Sequence, residues 1–238
     1  MSIDDAKFKR LLTQVSEVGR LYDGVVFIGG IAVYMHAMNH GPTSSLAEMT
    51  HDADFYISLS SLSDLRETEE LVQNSRLSKH EFQRNEFSFD MHTERLSSLP
   101  VPYDVVAAHA VEYDGVHVAA LEELLVLKLE AAADRHASMH GRKDAKDVIR
   151  ILLLAGDAEY AFDAKRAVAY MKPAHFERLE HIVNGPEFMG MVQGNAKLAR
   201  MMRLEVMGIF QQIAQAYDAD NSPPSSSPGH QRRHICHP

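Results

Sequence analysis

From Val25 to Ile28 the chain carries four apolar residues without a break. The run predicts a buried strand, ended by Gly29-Gly30 where backbone must turn sharply or approach a ligand. Upstream, Phe8, Leu11, Leu12, Val15 and Val18 recur at helical spacing. They predict an amphipathic helix over 4–21, with Ser2 or Asp4 as its cap. Downstream, 31–38 reads as a helix stopped by Asn39, His40, Gly41 and Pro42, and 43–49 as a loop of small residues. A second strand is predicted over 52–57, where a period of two puts Asp52 and Asp54 on one face and turns Ala53 and Phe55 into the core. Ser60 to Asp64 offer an N-terminal cap for a helix through Leu62, Leu65, Leu71 and Val72. Residues 76–84 are weakly patterned and read as an edge strand. Phe87 to His92 alternate apolar and polar, the pattern of a strand, and place Asp90 among apolar neighbours. Pro100 and Pro102 force an extended start before Asp104, and 113–119 reads as a hairpin arm around Asp114-Gly115.

From Leu121 the period changes. Leu121, Leu124, Leu125, Leu127 and Leu129 form an apolar stripe running into Ala131–Ala133, with Lys128 and Arg135 nearly two turns apart on a common face. A break is expected at Gly141, followed by a helix over 143–154. Residues 163–217 are helical by pattern, punctuated by Pro173 and Gly185-Pro186. Methionines in this half, such as Met189, Met191, Met201, Met202 and Met207, read as core or partner-facing filler. The segments group into a strand-bearing core over 1–119, a helical lobe over 120–217 that completes the site, and a polar tail over 218–238 expected to be disordered. The fold class is therefore α+β: a small mixed β-sheet flanked by helices, with a C-terminal helical lobe.

The totals narrow this picture. A chain of 238 residues with 45% hydrophobic content can bury one substantial core with a helical annex. A net charge of -9 excludes gripping nucleic acid by a global basic field, while leaving nucleic acid open as a substrate. The single cysteine, Cys236, excludes a disulfide framework, and His230, His234, Cys236 and His237 lack the paired spacing of a structural zinc site. Residues 1–5 have no basic stretch and no apolar signal core, and no apolar run is long enough to cross a bilayer. The expectation is a soluble, cytoplasmic protein.

Chemistry concentrates in the first half. Asp52 and Asp54, held on one face, repel unless a cation sits between them, and a divalent metal is the usual remedy. Asp90 is the first choice for a third carboxylate because it sits in a strand-like alternation; Asp104 is the second. Lys128 taken alone reads as a side chain snorkelling at the rim of a leucine-rich face. Asp144 and Asp147 read equally as site residues or as acids stabilising a helix N-terminus.

The order of these features resembles the nucleotidyltransferase superfamily, and within it the minimal bacterial AbiEii-like group, many of whose members are toxins of toxin–antitoxin pairs. The resemblance lies in Gly29-Gly30-Ile31-Ala32, in Thr50-His51-Asp52-Ala53-Asp54, and in a second block from Leu121 through Lys128 and Arg135 to Lys143-Asp144-Ala145-Lys146-Asp147. It covers about 25–154. It implies that Asp52, Asp54 and Asp90 bind Mg²⁺ or Mn²⁺. It further implies that Gly29, Gly30, Thr50, Lys128, Arg135, Lys143 and Asp144 contact an NTP such as ATP, and that Asp52, Asp54, Asp90 and Lys128 serve catalysis. Lys128 would be a mobile cation for the β- and γ-phosphates. The implied acceptor is a tRNA, another RNA, a protein or a small molecule, with an antitoxin protein as a further partner and no membrane. The alternative is a catalytically inactive nucleotide- or partner-binding module of the same fold. One departure stands out: the group often carries Arg where this chain has Glu48.

Overall fold

The structure is a computed structural model that describes residues 3–39, 41–70, 75–78, 81–95, 98–134 and 139–221. The first helix, α1 (Ile3–Leu21), packs Phe8, Leu11, Val15 and Val18 into the core, as their spacing predicts. Strand β1 (Val25–Ile28) is buried along its whole length. It runs into α2 (Gly29–Asn39), whose first turn contains the two glycines. The expected start at residue 31 is thus two residues late. Gly29 makes the turn at a φ of +75°, a conformation open to glycine, and the helix begins there.

The predicted loop over 43–49 instead opens with a 3-10 helix, Gly41–Leu46. Local bonds drive it: the Ser44 hydroxyl donates to the Gly41 carbonyl at 2.8 Å, and Thr43 donates to the Ala37 carbonyl at 3.0 Å. Strand β2 (Ala53–Ile57) follows, then α3 (Leu59–Glu70). The cap of α3 is Ser58 rather than a residue from 60–64, its hydroxyl accepting from the Ser61 N–H at 3.1 Å. The expected edge strand resolves into two, β3 (Ser75–Leu77) and β4 (Glu81–Arg84), and β5 (Phe87–His92) matches its prediction. A short α4 (Tyr103–Ala108) places Asp104 in a helical first turn. Strands β6 (Val111–Tyr113) and β7 (Val116–Val118) form the hairpin, with Asp114 and Gly115 both at positive φ as a tight two-residue turn requires.

These strands make one mixed sheet of seven, in the order β3-β4-β5-β2-β1-β7-β6. β1 is antiparallel to β2, and β2 is parallel to β5. One face is aromatic: Phe27 and Phe55 meet edge-on at 5.9 Å, and Phe82 and Phe89 lie 5.2 Å apart. Because side chains alternate, the other face at this level carries Asp54 beside Asp90, with Glu81 next in register.

Among the described residues every regular element beyond the hairpin is a helix. Helix α5 (Leu121–Asp134) is buried on all sides from Leu121 through Leu129, so the apolar stripe belongs to a central helix rather than a surface one. It packs on α6 (Met139–Ala155), α7 (Ala164–Val168), α8 (Pro173–Asn184) and α2. The break expected at Gly141 does not occur there: Gly141 is a buried residue inside α6. Pro173 sits in the first turn of α8, where its absent N–H costs nothing. A short α9 (Glu187–Met191) leads to α10 (Ala196–Asn221), which runs past the expected start of the tail at 218. Arg135, 222–238 and their histidines and cysteine lie outside the described residues. Among the described residues no helix is long and apolar enough to cross a membrane.

Candidate active site

The acidic residues meet where β1 gives way to α2. Asp54 is the Cα partner of Ile28 on one side and of Asp90 on the other, so two neighbouring strands deliver two carboxylates at one level. A Cβ added to Gly29 would fall 2.1 Å from the Asp54 Oδ2 atom, which means that the Asp54 carboxylate occupies the space a side chain would take. Glycine is required there by conformation and by room together.

Asp52 lies just before β2 and is exposed. Its Oδ1 accepts from the Thr50 hydroxyl at 2.7 Å, and the same hydroxyl accepts from the Lys143 ammonium at 3.2 Å. Partial desolvation opposes its charge, but the Thr50 hydrogen bond and the Lys143 charge outweigh that and hold Asp52 below the ordinary carboxylate value. Asp90 behaves in the opposite way. Desolvation, then the charge of Asp54, push it up, with smaller contributions from Asp52 and Glu81 and partial relief from His92. The His92 Nε2 atom lies 3.8 Å from Asp54 Oδ1.

Two further predicted residues belong to an ionic cluster between α5 and α6. Lys128, only 7% exposed, sets its ammonium 2.8 Å from Asp147 and 3.3 Å from Asp144. Burial pulls this lysine down, but Asp147 and Asp144 more than compensate and hold it above its ordinary value, with Asp54 adding to the same effect. Lys128, expected from the sequence to be a mobile cation, is thus ion-paired to Asp147 and Asp144 beside the acidic site. Asp144 faces Lys128 from α6. Asp147 also binds Arg150 at 2.9 Å, and Arg150 is paired with Glu48. Burial draws Arg150 down to about 10, which leaves it charged at neutral pH. Glu48, the departure noted in the sequence, is thus matched by a cation from α6.

The structure brings together Gly29, Gly30, Thr50, Asp52, Asp54, Asp90 and Lys143, and sets Lys128 and Asp144 alongside. The second-choice carboxylate, Asp104, is an exposed residue at the start of α4 and is not in register with the acidic pair. Sequence reading passed over His92, Glu81 and Arg150. His92 was within reach, since period two puts it on the Asp90 face; Glu81 and Arg150 depend on strand register and on helix docking, which no local pattern states.

Among the described residues no group of three or more His, Cys, Asp or Glu side chains already converges as a metal cage. Asp52 is turned to Thr50, and the Asp54 carboxylate fills the space over Gly29. The chemistry of the donors nonetheless fits a hard divalent cation: all three are carboxylates, and Asp90 is raised first by desolvation and then by the neighbouring charge of Asp54.

Comparison with known proteins adds distant likenesses. No protein-family model matches the chain, and no curated protein matches its sequence. Among solved structures, a candidate nucleotidyltransferase of H. pylori aligns at 14% identity over 94% of this chain and 100% of its own, with a TM-score of 0.46. The protein JHP933 of Helicobacter pylori aligns at 14% identity over 93% of this chain and 98% of its own, with a TM-score of 0.48.

Proposed function

We propose that this chain is a divalent-metal-dependent nucleotidyltransferase that moves an NMP from an NTP, ATP among them, to a hydroxyl or phosphate on an RNA, protein or small-molecule acceptor. The observation that supports this best is the pairing of Asp54 with Asp90 across β2 and β5, directly over Gly29 at the start of α2. Asp52, Asp54 and Asp90 would hold Mg²⁺ or Mn²⁺, which supplies positive charge for the phosphates. The first turn of α2 offers backbone N–H groups and the positive end of a helix dipole to an anion. Thr50 and Lys143 fix the orientation of Asp52, and Lys143 adds a cation beside it. Asp90, on the strand beside Asp54, would also take the proton of the acceptor group as general base. In the transfer the acceptor oxygen bonds to the α-phosphorus, the bond to the leaving pyrophosphate breaks, and the acceptor proton passes to Asp90. The sequence resemblance extends the proposal to a toxin held in check by a protein antitoxin.

The test is incubation with each labelled NTP, Mg²⁺ and a cell extract. An acceptor becomes labelled with the wild-type chain and stays unlabelled with Asp52→Ala and with Asp54→Ala. Failure of transfer with every NTP, together with no metal-dependent nucleotide binding, overturns the reading. Metal-dependent binding without transfer identifies the inactive module instead.

A further inference from the structure

A cavity of about 910 Å³ opens between the 3-10 segment, the end of α6, α9 and α10. That volume lies in the range of small-molecule sites, roughly 300–1,000 Å³. Its walls include Leu46, Leu153, Met191, Met202 and Ile209, an aliphatic stretch with two adaptable thioethers, set among polar side chains such as Ser45, Gln193 and Gln212. Among the described residues none of its lining side chains is aromatic, so it offers no face on which a nucleobase could stack.

Its charge is one-sided. Arg150 lines the cavity, but this guanidinium is already committed to Glu48 and Asp147. Asp157 and Glu205 also line it. Among the described residues the Asp157 carboxylate accepts from the Glu159 N–H at 3.0 Å and makes no ion pair, and Glu205 is exposed on α10 and makes none either. An anion entering here would meet two carboxylates and find the cation occupied. A neutral molecule would forgo the attraction that both carboxylates offer a cation.

We propose that this cavity is a binding site for a small organic cation with an aliphatic body, an alkylammonium whose chain lies on Leu153, Met202 and Ile209 and whose charge meets Glu205 and Asp157. The site stands apart from the nucleotidyl-transfer reading. It would hold whether or not the acidic cluster transfers nucleotides.

The same face supplies a clean blocking variant. Gly208 lines the cavity, and a Cβ added there meets nothing within 4 Å, so a larger side chain can enter the open space without displacing the fold. Hexylammonium, hexanol and hexanoate are titrated calorimetrically into the full chain at low ionic strength. Hexylammonium is expected to bind one to one and at least about tenfold more tightly than hexanoate, because the two carboxylates attract a cation and repel an anion at low ionic strength. Glu205→Gln should bring hexylammonium toward the affinity of hexanol and leave hexanol unchanged. Gly208→Phe, with its thermal unfolding checked against wild type, should abolish binding of hexylammonium. Absence of hexylammonium binding, equal binding of hexanoate, or undiminished binding by Gly208→Phe each overturns the proposal.

Discussion

At the scale of single residues, Gly29 carries the most consequence. It sits at a φ of +75° and leaves its missing side chain's volume to the Asp54 carboxylate. Gly29→Ala adds both faults at once: a left-handed non-glycine residue, worth about 1–2 kcal/mol, and a clash that must move Asp54. The expected outcome is a loss of unfolding free energy of that size in urea, together with loss of any stabilisation by Mg²⁺, whereas Gly30→Ala, whose Cβ would meet Thr50 Oγ1 at 3.3 Å, should keep most of both. Equal behaviour of the two variants would separate Gly29 from the acidic site. The two glycines and the Asp-x-Asp run were legible in the sequence because each is a local pattern. The reason for Gly29 was not, since it lies in the carboxylate of a residue on the neighbouring strand.

Elements with an uninterrupted local signal came through intact: the apolar run of β1, the alternation of β5 and the Asp-Gly turn between β6 and β7. The misjudged ones turned on contacts distant in sequence. Gly141 suggests a helix end, because isolated glycine costs about 1 kcal/mol in a helix, yet it lies buried inside α6. Lys128 shows the same limit. Its position in a leucine-rich helix suggested an exposed rim, and only the docking of α6 reveals Asp144 and Asp147 around it. Removing a buried ion's partner leaves charge without compensation, so Lys128→Met is expected to lose about 3–5 kcal/mol of stability. Adding Asp144→Asn should restore part of the loss, because one orphaned carboxylate is then neutral. Denaturant unfolding of the single and double variants measures this directly; a neutral single variant would show that the cluster is not an element of the α5–α6 interface.

For the whole molecule the decisive quantity is how stability responds to pH and to metal. Asp90 and Asp52 are displaced in opposite directions, so their signs differ. A carboxylate raised in the folded state contributes stability that is full below its unfolded value, about 3.9, and lost as pH rises through its raised folded value. Asp90 therefore weakens the fold at neutral pH. Asp52, lowered, contributes stability above its unfolded value and loses it as pH falls through its folded one. Asp90 is exposed, which screens the effect to about 0.5 kcal/mol. In EDTA at pH 7, Asp90→Asn should thus raise Tm by roughly 1–2 °C, and the gain should shrink toward pH 4. Mg²⁺ reverses the order if the three carboxylates hold it. A ligand at a hundred times its Kd adds about 2.7 kcal/mol to a chain that binds it, which Asp90→Asn would largely forgo. The two melting curves then exchange places between EDTA and Mg²⁺. A variant that stays above the wild type in both conditions would remove Asp90 from any metal site, and a variant below it in both would show that the carboxylate supports the fold by itself.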